Sequence, residues 1–258
     1  MFYEGAEKRL AIKVSDTELL KLSDLFWAEL VEQAGATILS KIENDSQKAF
    51  LLSESSLFVW RDQLLLITCG ETELVKSATH FFDNVTAKNI QSLLFQRHLA
   101  IRPKSQKSHF EADCKTLKTW VDGEIKTDLE NDYQGNLFTY GSENKISLKT
   151  KLLFMLNKIS GAFSMQLQQG GVNKSDVFDQ LKIEIFFPEF QIDHFSFEPK
   201  GYSINGILKD DYFTLHITPE KLTAYVSFES SLDKQETDGF ILHLQQIFMP
   251  QKSVYHHF

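Results

Sequence analysis

The sequence predicts an α+β fold in which helices cover mainly antiparallel sheets, and three observations predict it. Helical and strand-like patterns interleave along the 258 residues. The strand-like runs of the C-terminal half are joined by short connections, which suit antiparallel pairing. Phe occurs 22 times, and aromatic side chains favour pleated, half-buried surfaces.

The elements follow in chain order. Ser15-Asp16-Thr17-Glu18 has capping-box spacing and precedes Leu19, Leu22, Phe26, Leu30 and Val31 on one face, so a helix is expected there. Gln63 to Thr68 is a short apolar run and reads as a strand. A second helix is expected after Gly70, carrying Leu74, Val75 and Phe81. The polar, basic stretch from Arg102 to Ser108 reads as an exposed loop. Leu148 to Ile159 reads as a third helix, with Gly161 as its stop signal. Lys182 to Phe187 alternates and reads as a strand. Tyr212 to Thr218 alternates strictly, with Phe213, Leu215 and Ile217 opposite Tyr212, Thr214, His216 and Thr218. Thr223 to Glu229 alternates as well. A fourth helix is expected from about Gln235 to Phe248, ending before Pro250.

Composition excludes several classes. Hydrophobic residues make up 42% and charged residues 24%, as in ordinary soluble globular chains. The net charge of -8 argues against a nucleic-acid partner, which needs a basic face. The two cysteines, Cys69 and Cys114, are too few for a disulfide framework and lack metal-ligand spacing. There is no basic-then-apolar leader and no apolar run of membrane-spanning length. A cytoplasmic setting without membrane partners is the expectation.

Four short blocks stand out: Tyr3-Glu4-Gly5-Ala6-Glu7-Lys8; Leu52-Ser53-Glu54-Ser55-Ser56-Leu57-Phe58-Val59; Thr68-Cys69-Gly70; and Gly201-Tyr202-Ser203-Ile204-Asn205-Gly206 with His216-Ile217-Thr218-Pro219-Glu220. Each alone has an ordinary explanation. Ser55 reads as a turn residue between two strands, and Ser203 as another. Cys69 reads as a buried thiol and His216 as a hydrogen-bonded structural histidine. Glu4, Glu7 and Glu220 read as surface carboxylates, Tyr3 and Phe197 as core aromatics.

Together and in this order, the blocks resemble the eukaryotic-type S-adenosylmethionine decarboxylases. The resemblance runs from the start of the chain to about Pro250, with a poorly matching middle from about Arg102 to Asp179. It implies a four-layer αββα sandwich of two mainly antiparallel sheets with helices outside, as one domain over 1–258. It implies self-cleavage between Glu54 and Ser55 into chains 1–54 and 55–258, which stay associated. Ser55 would become a pyruvoyl cap, with no metal and no pyridoxal phosphate. The substrate S-adenosylmethionine would join that cap as a Schiff base, and its decarboxylated product feeds spermidine synthesis.

The same resemblance assigns roles residue by residue. His216 matches the base that removes the Ser55 α-proton, and Ser203 the hydroxyl that steadies the oxyanion. Cys69 matches the proton donor to the substrate α-carbon. Tyr3 and Phe197 match the aromatic pair around adenine, Tyr3 standing where Phe is usual. Glu220 matches the carboxylate on the ribose hydroxyls, and Glu54 lines the site. Glu4 and Glu7 match carboxylates tied to activity and processing. Two other readings compete: a pyruvoyl-dependent decarboxylase of ornithine or arginine, and a non-catalytic regulatory paralogue.

Two departures carry expectations. Ile67 and Ala11 replace a lysine and a glutamate of the acidic network found in putrescine-stimulated relatives, so little or no putrescine stimulation is expected. The chain ends at Phe258, where relatives continue for several strands. One sheet is therefore expected to be smaller, or its edge covered by a partner, and a homodimer is one arrangement the resemblance allows.

Overall fold

The computed structural model describes residues 7–85, 87–98, 100, 103–128, 135–141, 149–170, 172–198, 200–220 and 224–257. The described residues form two compact units, one over 7–141 and one over 149–257. Each is an antiparallel sheet with helices, which makes the protein α+β.

The first unit holds strands β1 (Lys8–Val14), β2 (Ile38–Glu43), β3 (Gln47–Leu52), β4 (Ser55–Trp60), β5 (Gln63–Thr68), β6 (Ile90–His98), β7 (Glu124–Asp128) and β8 (Gly135–Tyr140). They lie in the order β2-β3-β4-β5-β1-β6-β8-β7. Helices α1 (Asp24–Gln33), α2 (Leu74–Asn84) and α3 (Phe110–Leu117) complete it. Alternate strand residues such as Leu10, Ile12, Leu57, Val59, Leu64, Leu66, Leu93 and Phe95 share one core with Trp27, Leu30, Phe81 and Leu117 from the helices. Two-residue periodicity in the strands and three-to-four-residue spacing in the helices put these side chains on facing surfaces.

The first helix starts later than its sequence suggests. Ser15 N–H donates to Asn89 O and Leu19 N–H to Arg61 O, so the capping-box segment is tied to neighbouring loops. A single 3-10 turn, Leu19–Lys21, follows. The α-helix begins after Ser23, whose hydroxyl accepts from Phe26 N–H, the ordinary N-cap bond. The expected strand over 63–68 is β5, and the expected helix after Gly70 is α2.

The second unit holds β9 (Leu152–Asn157), β10 (Gln191–Ser196), β11 (Tyr202–Leu208), β12 (Asp211–Thr218), β13 (Tyr225–Ser230) and β14 (Lys252–His257), in the order β10-β11-β12-β13-β9-β14. Helices α4 (Gly161–Gln169), α5 (Lys174–Leu181), α6 (Ile183–Phe186) and α7 (Lys234–Phe248) pack with it. Asp233 and Glu236 form the capping box that starts α7. Phe213, Leu215 and Ile217 face the core with Phe187, Phe228, Phe240 and Leu244, and the Phe187 and Phe213 rings stack at 4.3 Å. A Cβ on Gly206 would lie 2.2 Å from the Phe213 ring, so glycine opposite Phe213 is what lets that ring lie flat across the ladder.

Three sequence expectations fail here. The segment from Leu148 to Ile159 is not helical: within it, Leu152–Asn157 forms β9, between β13 and β14. A strand buried on both faces carries a continuous apolar run, which periodicity cannot tell from a buried helix. Gly161 opens α4 instead of ending a helix. Residues 182–187 are not a strand. After α5, Lys182 adopts a left-handed conformation, and one helical turn buries Ile183 and Phe187 while leaving Ile185 exposed. The stretch from Arg102 to Ser108 is only partly an exposed loop, because Gln106 is 8% exposed.

Candidate active site

In the first unit, β3 and β4 are joined by the two-residue turn Ser53–Glu54, and Leu52 pairs with Ser55 across it. Ser53 holds the turn in place: its N–H donates to Thr37 O, and its Oγ accepts from Thr37 N–H. Tight hairpins place residues with positive φ inside the turn, commonly glycine or asparagine. Here the positive angle falls on the residue after it. Ser55 has φ +137°, a region that a side chain with a Cβ occupies only under strain, on the order of 1–3 kcal/mol. Ser55 is buried.

Ser55 pairs on its other side with Thr68, the last residue of β5. Cys69 therefore emerges beside the Glu54–Ser55 peptide. Cys69 N–H donates to Glu54 O at 3.1 Å, and the Cys69 thiol donates to the same oxygen at 3.2 Å. Two donors on one peptide carbonyl, next to a buried serine hydroxyl, are the components of an oxyanion-stabilising site aimed at that peptide.

The turn after Cys69 is held by side chains. Gly70 has φ +68°, so the chain leaves strand geometry at once. Thr72 Oγ1 donates to Cys69 O at 3.0 Å and to Thr68 Oγ1 at 2.8 Å. Lys8 Nζ donates to Gly70 O at 2.8 Å and Thr72 O at 2.6 Å. Burial pushes the Lys8 ammonium down to about 8, with the nearby Arg97 charge acting in the same direction. Glu7 is buried at 3.7 Å from Arg9 Nη2. Both described cysteines are free. Burial pushes the Cys114 thiol up to about 12, with Asp113 adding to it.

In the second unit, Ser203 on β11 pairs with His216 on β12. Ser203 Oγ lies 2.8 Å from His216 Nδ1. Thr214 Oγ1 lies 2.9 Å from Nε2 of the same ring and 3.1 Å from Ile204 O. Asn205 Oδ1 at 2.9 Å is a second, closer acceptor for the same hydroxyl; both oxygens only accept, so Thr214 gives its one proton to one of them and accepts from Nε2–H. That leaves Nδ1 bare, accepting from the Ser203 hydroxyl. Both His216 and Ser203 are buried, on the polar face that the alternation of β12 predicts.

The other sequence-selected residues are placed as follows. Phe197 follows β10, half-buried, edge-on to Phe195 at 5.0 Å. Glu220 follows β12 and is half-buried, as is Glu54. Tyr3 and Glu4 lie outside the described residues. Within each unit the structure brings together Glu54, Ser55 and Cys69, and Ser203 with His216. Sequence reasoning gave no role to Thr72, Thr214, Gln106 or the Arg97–Asp113 pair; the signals present were Lys8 inside a quoted block and Thr214 on the His216 face of its strand. No cluster of metal-ligating residues occurs among the described residues, and no described helix is long and apolar enough to cross a membrane.

Comparison with known proteins gives one consistent result. A family profile described as adenosylmethionine decarboxylase matches residues 1–258. A Dictyostelium discoideum protein named S-adenosylmethionine decarboxylase proenzyme is 27% identical over 257 residues, which cover 96% of this chain and 68% of that protein. A Xenopus laevis protein of the same name is 29% identical over 277 residues, covering 98% and 82%. A crystal structure of a Trypanosoma brucei AdoMetDC-delta26 monomer shares the fold, with TM-score 0.60 and 19% identity over 77% of this chain and 78% of that one.

Proposed function

We propose, for a chain that belongs to the adenosylmethionine decarboxylase family, that the Glu54–Ser55 peptide is the self-cleavage site and that 1–258 is one decarboxylase domain cut into chains 1–54 and 55–258, which stay associated. The enzyme is a pyruvoyl-dependent carboxy-lyase that converts S-adenosylmethionine to its decarboxylated form, an aminopropyl donor for polyamine synthesis. The observation that carries the cleavage reading is the convergence of the Cys69 N–H and thiol on the Glu54 carbonyl, beside a serine held at φ +137°.

A pyruvoyl group is made from the chain itself, so the residues fit it if they can carry a serine through the change. Ser55 Oγ attacks the Glu54 carbonyl carbon. The C–N bond breaks, an ester forms, and the hydroxyl proton passes to the Ser55 nitrogen. Cys69 stabilises the oxyanion on the way with two donors already in place. Backbone strain at Ser55 raises the starting peptide towards the ester. His216 takes the Ser55 α-proton on Nδ1 once the Ser203 hydroxyl releases that nitrogen; the Ser55 Cβ–O bond breaks and Glu54 leaves as a carboxylate. The enamine so formed tautomerises to an imine, and water hydrolyses it to the ketone with release of ammonia.

When present, the pyruvoyl carbonyl supplies the electron sink that loss of carbon dioxide requires. The remaining work is done by ordinary side chains. Cys69 holds a proton on Sγ for return to the substrate α-carbon. Tyr3 and Phe197 clasp adenine, and aromatic faces also favour a sulfonium cation, by about 0.5–2 kcal/mol. Glu220 takes the ribose hydroxyls, Glu54 lines the site, and Glu4 and Glu7 support processing and activity.

The test combines intact mass with carbon dioxide release. Purified protein should give two chains, the larger without an N-terminal amine and with a borohydride-reducible carbonyl. Carbon dioxide should be released from S-adenosylmethionine and not from ornithine or arginine. A protein that stays in one piece and carries no reducible carbonyl overturns the proposal.

A further inference from the structure

A chain of buried polar side chains runs from α3 to the residue after Cys69. Asp113 Oδ2 accepts from Arg97 Nη1 at 2.6 Å. Arg97 Nη2 donates to Gln106 Oε1 at 3.1 Å. Gln106 Nε2 donates to Gly70 O at 3.2 Å. Ser108 Oγ accepts from Arg97 Nη1 at 2.9 Å and donates to Asp113 Oδ2 at 3.3 Å. Arg97, Gln106 and Asp113 are 7%, 8% and 3% exposed. Because a guanidinium only donates, it fixes the Gln106 amide with its oxygen towards Arg97 and its NH2 towards Gly70.

We propose that Gln106, oriented by the Arg97–Asp113 pair, is a positioning residue that fixes the Cys69–Gly70 turn so that the Cys69 thiol stays on the Glu54 carbonyl oxygen. The inference rests on the role of Cys69 given above and extends it to residues outside the motif blocks. Strand β5 ends at Thr68, after which Cys69 N–H still bonds Glu54 O. Past it, Cys69 O, Gly70 O and Thr72 O are all held by side chains, and Gly70 O takes two donors, from Lys8 and Gln106. Two donors engage both lone pairs of that oxygen and fix the plane of its peptide.

Stability alone does not account for the arrangement. A buried ion pair gives little net stability over an apolar pair of the same shape. A directed chain of charge-assisted bonds ending on one carbonyl supplies geometry instead. Catalysis is sensitive at that scale, since a misplacement of about 1 Å can cost on the order of 100-fold in rate.

The experiment compares wild type, Gln106→Leu and Cys69→Ala. Self-cleavage is timed in freshly translated protein, kcat and KM are measured on matured enzyme, and Cys69 alkylation by iodoacetamide is followed. Cys114 is buried, and Cys69→Ala gives its background rate of alkylation. For Gln106→Leu the expected result is cleavage and kcat each lowered about tenfold, KM within about twofold, and faster alkylation as Sγ leaves its acceptor. Cleavage, kcat and alkylation all at wild-type values overturn the inference alone, provided Cys69→Ala is impaired. Loss that tracks only the unfolded fraction also overturns it. Wild-type rates in Cys69→Ala remove the reading of Cys69 and this inference with it. If Gln106→Leu does not fold, Gln106→Asn, which keeps the amide and shortens its reach, decides by the same criteria.

Discussion

Ser203 Oγ faces His216 Nδ1 at 2.8 Å across the β11–β12 ladder, while Thr214 Oγ1 holds the opposite nitrogen at 2.9 Å. The ring is thus clamped from both ends and presented in one tautomer. If His216 removes the Ser55 α-proton, its loss should leave the earlier acyl shift possible and block the later elimination. His216→Ala should therefore accumulate the ester. Hydroxylamine cleaves esters and spares peptides, so it should split His216→Ala between residues 54 and 55 on a denaturing gel. Ser55→Ala should stay whole under the same treatment. A His216→Ala chain that resists hydroxylamine removes the assignment. Ser203→Ala, which leaves His216 Nδ1 without the hydroxyl that orients it, should process about 100-fold more slowly.

Ser55 offers a test of strain independent of chemistry. Neither Ser55→Gly nor Ser55→Ala can cleave, so both should give single chains suited to equilibrium unfolding. Glycine adopts φ +137° without a Cβ clash and alanine does not. In urea, Ser55→Gly should be the more stable of the two by about 1 kcal/mol, against the ordinary preference for alanine in a strand. Equal stability, or a more stable alanine variant, would mean that the angle stores no strain.

How much of this was legible in the sequence depends on where the information sits. The alternation of Tyr212 to Thr218 gave β12 and the polar face carrying His216, because one face of that strand is apolar and the other is not. The motif blocks singled out Ser55, Cys69 and Ser203 only through the family resemblance, and the structure sets Ser55 beside Cys69 and Ser203 beside His216. β9 was misread because burial on both faces erases alternation. Gln106 was invisible: a glutamine between lysines and serines carries no local sign that its amide will bridge a guanidinium and a distant carbonyl. Pairing between remote positions is what a single sequence withholds.

Putrescine should have little or no effect on the rate. A diamine held in a buried site needs carboxylates to match its charge. Ala11 pairs with Leu65 across β1 and β5, and Ile67 lies two residues further along β5 on the same face. All three are almost fully buried, so this patch offers apolar groups where a charged pair would be required. Carbon dioxide release should change by less than about twofold on adding millimolar putrescine. A severalfold rise would show that cation recognition sits elsewhere in the molecule.

His98 should govern part of the acid instability of the uncut chain. It closes β6, and its Nε2 is sealed from solvent. Burial, with Arg9 nearby, pushes it down to about 3, against about 6.5 in an unfolded chain. The folded state therefore refuses a proton that the unfolded state accepts across that interval. Stability linked to His98 is complete above about pH 6.5 and falls as the pH drops towards 3, by up to about 1.4 kcal/mol per pH unit. Urea unfolding at several values between pH 7 and 4 should show the difference, comparing Ser55→Ala with the double variant Ser55→Ala, His98→Asn so that neither chain cleaves. The single variant should lose stability more steeply below pH 6.5, and the two curves should run parallel above it. Parallel curves over the whole range would place the acid sensitivity in other groups.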